Sequence, residues 1–390
     1  MRIRSLKKIE VQGKRVLVRA DFDVPMRNGA IADDFRIREA FPTLHHVIEK
    51  GGMLRVIAHL GRPGGIRKGE LSLKKMVPFL ERLFKQPVVM VDDPGDTVAF
   101  KKYRDSGEII LFDNIRFFPG EERNDSSFAR ALAQWGDLYV NEAFANAHRA
   151  HASVVALPNL LPSYAGFHFE AEVACLALLV KGRPARPFVV VLGGAKLETK
   201  LPLITRFLSR ADHVLIGGAL ANTLLSLRGI PMGVAAPFPD VSQEEMKMLG
   251  VQKKLYFPED VMVARSVSSR APHHVAVVGA LLPEERALDI GPRTIERFGV
   301  LLENAKTVLW NGPLGCAELI PFSKGTRECA RLISTLKAYK VVGGGDTIGV
   351  LRKYNLLKGF SHISTGGGAM LEFLSGKKLP ALEALKNPKF

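Results

Sequence analysis

Three glycines, an acid and a hydroxyl follow an apolar run at Val341-Val342-Gly343-Gly344-Gly345-Asp346-Thr347-Ile348. Glycines let the backbone take positive φ and let a ligand touch it. The first free N–H groups of a helix that opens there would face that ligand, backed by the helix dipole. That combination is a phosphate cradle. A carboxylate beside phosphate is repulsive unless a cation separates them, so Asp346 suggests Mg²⁺, which takes one or two carboxylates plus phosphate oxygens. The competing reading is a plain strand-to-helix turn with Asp346 or Thr347 as N-cap. The GxxxxGK[ST] spacing of a P-loop is absent.

Other glycine-rich turns follow apolar runs in the same half of the chain: Gly193-Gly194-Ala195-Lys196, Gly217-Gly218 and Asn311-Gly312-Pro313. Lys196 and Lys200 are four apart and share a face at the start of the next helix. Two cations at the positive end of a helix repel each other unless an anion holds them. The first half carries a different set: Arg19-Ala20-Asp21-Phe22-Asp23, His59-Leu60-Gly61-Arg62-Pro63, Arg116, and Asn146-Ala147-His148-Arg149-Ala150-His151. Convergent arginines clamp carboxylate or phosphate in bidentate fashion. His59 and His148 also read as satisfied structural histidines, whereas Arg62 and Arg149 read more strongly as ligand-facing. One half suited to a small anion and another suited to a nucleotide describe a two-substrate phosphotransferase. Such chemistry needs positioning, charge neutralisation and water exclusion rather than a covalent nucleophile.

These groups need sheets to hold them. Short β-branched runs recur at Val16–Arg19, Leu54–Ala58, Val88–Val91, Ile109–Phe112 and Leu138–Val140. The second half adds Phe188–Leu192, Val214–Ile216, Val261–Ala264, Val308–Trp310 and Lys340–Val342. Apolar strands without alternation belong to parallel sheets covered on both faces. The intervening patterns are helical, as over Ser72–Lys85, so the expectation is two doubly wound α/β domains. The expected boundaries are an N-terminal domain over 1–169, a hinge helix and linker over 170–187, a C-terminal domain over 188–373, and a tail over 374–390. Within the linker, Glu170 to Lys181 reads as one helix, broken by Gly182-Arg183-Pro184.

The chain has 390 residues, 47% hydrophobic and 24% charged, and no apolar stretch near the roughly 20 residues a membrane helix needs. The basic start lacks the apolar segment of a signal peptide. Cys175, Cys316 and Cys329 are widely spaced and fit a reducing cytosol. The net charge of +16 favours anionic partners. Its cations are spread along the chain without a nucleic-acid-binding motif, so a small polyanion accounts for them as well as nucleic acid does.

An ordered series of blocks resembles the phosphoglycerate kinase family from about Leu6 to Leu385: VRADFDVP at 18–25, DDFRIREAFPT at 33–43, HLGRP at 59–63, NIRFFPGE at 114–121 and NEAFANAHRAHAS at 141–153. The series continues with GGAKLETK at 193–200, LDIGPRT at 288–294, WNGPLG at 310–315, GGGDT at 343–347 and SHISTGGGA at 361–369. The resemblance implies reversible, Mg²⁺-dependent phosphoryl transfer between 1,3-bisphosphoglycerate and ADP, giving 3-phosphoglycerate and ATP in glycolysis. It also implies a cytoplasmic, hinge-bending monomer whose tail returns to the first domain. By that analogy Asp21, Arg36, His59, Arg62, Arg116 and Arg149 hold the phosphoglycerate, with Phe22, Asp23, Leu60 and Gly61 in the same loops. Arg36 and Lys196, with the backbone near Gly344 and Gly367, meet the transferred group. Lys200 contacts the nucleotide phosphates, Glu318 the ribose and Asp346 the metal, while Gly194, Gly218, Asn311, Gly345 and Thr347 line the nucleotide.

Several positions depart from the family pattern. Asp23 stands where the family has asparagine, and an ionised acid can only accept hydrogen bonds. Against an anionic substrate it is expected to cost roughly 1–3 kcal/mol unless an arginine compensates or it protonates. Ala219 and Ala287 replace glycines around the adenine and Ala317 replaces an aromatic, so the base slot is expected to be altered. Glu142 replaces aspartate, and Ala145-Asn146 replaces a Gly-Thr pair. Two alternatives accompany the kinase reading: a kinase-fold binder of nucleic acid or other polyanions, and a kinase with shifted acceptor or nucleotide choice.

Overall fold

The computed structural model describes residues 3–234 and 252–386. Packing divides the chain into two compact units, Met1–Ala174 with Lys377–Phe390, and Cys175–Gly376. The first is built on six strands: β1 (Arg15–Arg19), β2 (Met53–Ile57), β3 (Val88–Val91), β4 (Ile109–Phe112), β5 (Leu138–Asn141) and β6 (Ser163–Ala165). They lie in the order β3-β4-β2-β1-β5-β6, all parallel. Val16 and Val18 of β1 enter one hydrophobic cluster and Leu17 enters another. The sheet is therefore covered on both faces, which is why its strands read as unbroken apolar runs.

The second unit carries β7 (Phe188–Leu192), β8 (His213–Ile216), β9 (Leu255–Tyr256), β10 (Asp260–Ala264), β11 (His273–Val277), β12 (Arg286–Ile290), β13 (Thr307–Asn311), β14 (Tyr339–Gly343) and β15 (His362–Ser364). Six form a parallel sheet in the order β9-β8-β7-β13-β14-β15. Successive strands run outward from β7 in one direction and from β13 in the other. The crevice at the carboxyl ends of β7 and β13 is therefore the topological switch point, where open α/β sheets bind ligands. Both units bear out the doubly wound α/β class.

Three local expectations need correction. The run Val261–Ala264 lies in β10 but not in the parallel sheet; β10 is the centre of an antiparallel sheet, β11-β10-β12, with a bulge between Met262 and Val263. A four-residue apolar run cannot announce its partner's direction. The stretch Ser72–Lys85 is a 3₁₀ turn, Leu73–Met76, followed by a short helix, Val77–Phe84. Pro78 sits in the first turn of that helix, where its missing N–H costs nothing, and Lys85 ends it in the left-handed conformation. The helix expected from Glu170 begins earlier and spans Phe167–Val180. The Glu142 carboxylate accepts the His168 and Phe169 N–H groups at 2.9 and 3.2 Å, a distant cap for its first turn. The two units divide within this helix, after Ala174. Of the tail, residues up to Lys386 are described; the helix Pro380–Lys386 lies on the first unit, where Ala381 N donates to Ala147 O at 3.1 Å.

Candidate active site: two half-sites at two sheet edges

In the first unit the functional side chains collect beyond β1 and β2. Arg19 is fully buried and donates to Ser153 Oγ at 3.0 Å, Ala20 O at 2.6 Å and His59 Nδ1 at 3.1 Å. Ser153 passes the interaction on, donating through Oγ and N to buried Glu121 at 2.6 and 2.9 Å. A guanidinium has no acceptor, so His59 Nδ1 must accept and Nε2 carries the proton. Nε2 faces Asp23 Oδ2 at 3.6 Å. Burial, with Arg19 and Arg116 nearby, pushes His59 down to about 4 against the pull of Asp23, so the ring is neutral at pH 7.

Asp23 is not left facing an anion unsupported. Gly61 N donates to Asp23 Oδ1 at 2.8 Å, and Arg36 Nη1 donates to Asp23 O at 3.1 Å. Burial opposes ionisation of this carboxyl, but His59, the Gly61 amide and Arg36 outweigh it and hold it well below the usual range. It is ionised, and its compensation comes first from His59 and the Gly61 amide and only then from Arg36, rather than from protonation. Arg36 Nη1 also lies 3.4 Å from Asp21 Oδ2. Arg116 is buried, donating to Gly61 O at 2.8 Å and Asn146 Oδ1 at 3.1 Å, while its Nε lacks a hydrogen-bond partner. Burial, then the like charges of Arg19 and Arg149, push it down to about 10, still cationic at neutral pH. Like charges gathered at a sheet edge with spare donors make an anion site.

Arg149 is half-buried beside Arg116, and Arg62 is exposed with no polar partner among the described residues. Phe22 and Leu60 are core side chains, 0% and 3% exposed, so any part they play runs through the backbone. Reading the sequence by strand ends underrated Arg19 and Asn114. Asn114 is fully buried and ties the loops together, donating to Leu60 O at 2.7 Å and accepting from Arg116 N at 3.1 Å. An arginine inside an apolar strand was the available signal for Arg19.

In the second unit the cradle is made of backbone. Gly193 and Gly312 cross at the switch point: a Cβ on Gly193 would lie 2.0 Å from Pro313 O, and one on Gly312, at φ +93°, 2.2 Å from Gly193 O. A cavity of about 340 Å³ opens there, lined by Gly194, Lys196, Lys200, Asn311, Gly344, Gly345, Asp346, Thr347 and Gly367. Three helices start around it: Leu197–Leu208, Gly345–Lys353 and Gly368–Ser375. Their N-cap residues Lys196, Gly344 and Gly367 make no side-chain cap bond, which leaves first-turn N–H groups for an anion. The cap assignment of the plain-turn reading needs correction. Neither Asp346 nor Thr347 is the cap: Gly344 takes φ +98°, and Thr347 Oγ1 accepts from Gly312 N at 3.0 Å. Lys196 is exposed, whereas Lys200 is buried with Nζ 3.4 Å from Asn311 O. Burial pushes Lys200 down to about 8, against the pull of Asp346.

A second cavity of about 310 Å³ shares Gly194, Ala195, Pro313 and Asp346 with the first and extends over Gly218, Ala219, Ala287, Leu288, Cys316 and Glu318. Its walls combine apolar and backbone groups with the polar residues Asn222, Arg286, Glu318 and Asp346, and the exposed Val234 and Val267 also line it. A flat heterocycle fits that chemistry. Ala219 and Ala287 both line this slot. Ala317 is buried and outside the lining, where Cys316 stands instead.

The comparisons with known proteins agree with this arrangement. The profile of the family described as phosphoglycerate kinase matches residues 6–377. The chain is 42% identical over 387 residues to the phosphoglycerate kinase of Moorella thermoacetica, covering 98% of each. It is 41% identical over 392 residues to that of Roseiflexus castenholzii, covering 98% of this chain and 99% of the other. Among solved structures, the phosphoglycerate kinase of Coxiella burnetii superposes with a TM-score of 0.86 at 35% identity over 99% of both chains. That of Pyrococcus horikoshii OT3 gives 0.85 at 30% identity over 98% of both. With an arginine half-site at one sheet edge, a glycine cradle at the other and this likeness along its length, the chain belongs to the phosphoglycerate kinase family.

Proposed function

We propose that these two half-sites carry reversible phosphoryl transfer between 1,3-bisphosphoglycerate and ADP, with 3-phosphoglycerate and ATP as the other pair. The observation that carries this reading is the pairing, within one chain, of a cationic side-chain site and a backbone phosphate cradle. Arg116, Arg149 and Arg62 hold the acceptor's anionic groups, and Asp21 fixes Arg36 beside them. Arg36 and Lys196 neutralise charge on the equatorial oxygens of the moving group, assisted by the amides after Gly344 and Gly367. Lys200 and the cradle hold the nucleotide phosphates, the Ala219–Ala287 slot takes the base, and Glu318 meets the ribose. The transfer requires both half-sites on one phosphoryl group, so hinge bending belongs to the proposal.

Asp346 suits Mg²⁺. It is an exposed carboxylate lining the phosphate cavity, and among the described residues no cluster of three or more His, Cys, Asp or Glu could hold a metal by itself. The remaining ligands would be phosphate oxygens and water, as Mg²⁺ prefers. When bound, the ion supplies charge neutralisation on the nucleotide phosphates. No helix among the described residues is long and apolar enough to cross a membrane. A cytoplasmic monomer is part of the same proposal, and light scattering tests the oligomeric state. The decisive test of activity is a coupled steady-state assay. Turnover of 3-phosphoglycerate that depends on Mg-ATP is expected, and its absence would reject the reading.

A further inference from the structure

We infer that Asp23 is a positioning residue: its carboxylate fixes the Leu60–Gly61 peptide and, through Gly61, aims the Arg116 guanidinium at the acceptor. The inference rests on the acceptor-site reading of the first unit.

The geometry is a chain of hydrogen bonds. Gly61 N donates to Asp23 Oδ1 at 2.8 Å, while the carbonyl of the same peptide, Leu60 O, accepts from Asn114 Nδ2 at 2.7 Å. The peptide is thus held at both ends, which anchors Gly61, the residue whose own carbonyl comes next. That carbonyl, Gly61 O, receives Arg116 Nη1 at 2.8 Å. Arg116 Nη2 is held in turn by Asn146 Oδ1 at 3.1 Å. Two anchors on a rigid planar fork fix its orientation, and the buried Nε, which makes no hydrogen bond, faces the Glu122 carboxylate at 3.8 Å.

Asp23 has a second hold on the same loop. His59 Nε2 faces its other oxygen at 3.6 Å, with Nδ1 pinned by Arg19. The loop turns at Gly61 in the left-handed conformation, φ +63°, so without these anchors little else dictates its path. Both outer members of the chain Asp23–Gly61–Arg116–Asn146 are positions where this sequence departs from the family pattern. The carboxylate at 23 has taken an inward task, and the amide at 146 closes the other end of the same chain.

The experiment uses the full-length protein and four variants: Asp23→Ala, Asp23→Asn, Asn146→Ala, and Asp23→Ala with Asn146→Ala. Asp23→Ala is expected to raise the KM for 3-phosphoglycerate about tenfold, with kcat changed less than threefold and the KM for ATP unchanged. Asp23→Asn is expected to fall between the parent and Asp23→Ala, because its amide oxygen still accepts from Gly61 N while its NH2 group meets the His59 Nε2–H. The double variant is expected to fall short of the product of the two single effects, since both act on Arg116. Amide exchange followed by mass spectrometry over residues 59–65 is expected to quicken at least tenfold in Asp23→Ala and not in Asp23→Asn. An unchanged KM in Asp23→Ala, effects that multiply fully, or unchanged exchange at Gly61 overturns the inference. If the parent neither binds nor turns over 3-phosphoglycerate, the acceptor-site reading fails, and the exchange result then decides the Asp23–Gly61 link by itself.

Discussion

In the proposed function the two half-sites recognise anions by opposite means. In the first unit the recognising groups are side chains, and their aim depends on buried polar partners: Arg19 on Ser153 and His59, Arg116 on Gly61 and Asn146. In the second unit they are mostly backbone N–H groups at three helix starts, placed by glycines that cross within contact distance. A side-chain site stores its specificity in a hydrogen-bond network, so it should tolerate small backbone changes but not loss of a partner. A backbone site stores it in chain path, so a single added methyl group should matter more than most side-chain exchanges. The contrast suits the ligands. A small acceptor offers few contacts and needs directed forks, whereas a nucleotide offers phosphates that any correctly placed amide can bind.

The largest effect is expected at Arg36. Arg36→Ala should lower kcat by roughly 10³-fold or more, on the scale of arginine groups in phosphoryl transfer. ADP binding measured by calorimetry should not change. A loss below tenfold would remove Arg36 from the transfer step. Next comes Gly312→Ala in the cradle. The left-handed φ costs about 1–3 kcal/mol, and the clash with Gly193 O adds to it, so nucleotide affinity should fall at least a hundredfold. Binding of 3-phosphoglycerate should be preserved; equal damage to both ligands would break the contrast between the half-sites.

A pH experiment sharpens it further. Lys200 is held down to about 8 in the free protein, and a phosphate beside it restores the proton. Nucleotide binding therefore takes up a proton above about pH 8, and ADP affinity should fall as pH rises, by up to tenfold per unit. Lys200→Met should bind more weakly and lose that slope. His59 titrates in the opposite half-site and in the opposite sense. Its folded value, about 4, is below the unfolded one, so below pH 6.5 the unfolded chain takes up a proton that the folded ring refuses. Stability should drop as pH falls from about 6.5 to 4, and His59→Gln should flatten that part of the urea-midpoint profile. The smallest effect is expected at Arg62. Exposed and without a polar partner among the described residues, it can be replaced by alanine with no cost in stability and a several-fold rise in the KM for 3-phosphoglycerate.

The strands that carry the sites were legible because a sheet covered on both faces demands uninterrupted apolar runs. The short edge strands Ser163–Ala165, Leu255–Tyr256 and His362–Ser364 were not, since two or three residues show no period. The antiparallel placement of β10 and the early start of the Phe167–Val180 helix escaped for a shared reason. Each depends on a partner far along the chain, β11 and β12 in one case and Glu142 in the other. At the site, the glycine turns and the arginines proposed to face the acceptor stood out by residue type and position after a strand.

By itself the sequence determined the fold class, the family and the division of labour between an arginine-rich half and a glycine-rich half, because these follow from local periodicity and residue chemistry. Only the tertiary structure decided which of these groups are buried as support. It turned Phe22 and Leu60 inward, made Arg19 and Asn114 struts, gave the cap of the Gly345–Lys353 helix to Gly344, and paired Asp23 with Gly61 and His59. Those outcomes rest on packing, backbone path and hydrogen bonds between distant residues, and a donor finds its acceptor only when the fold has placed the two within about 3 Å.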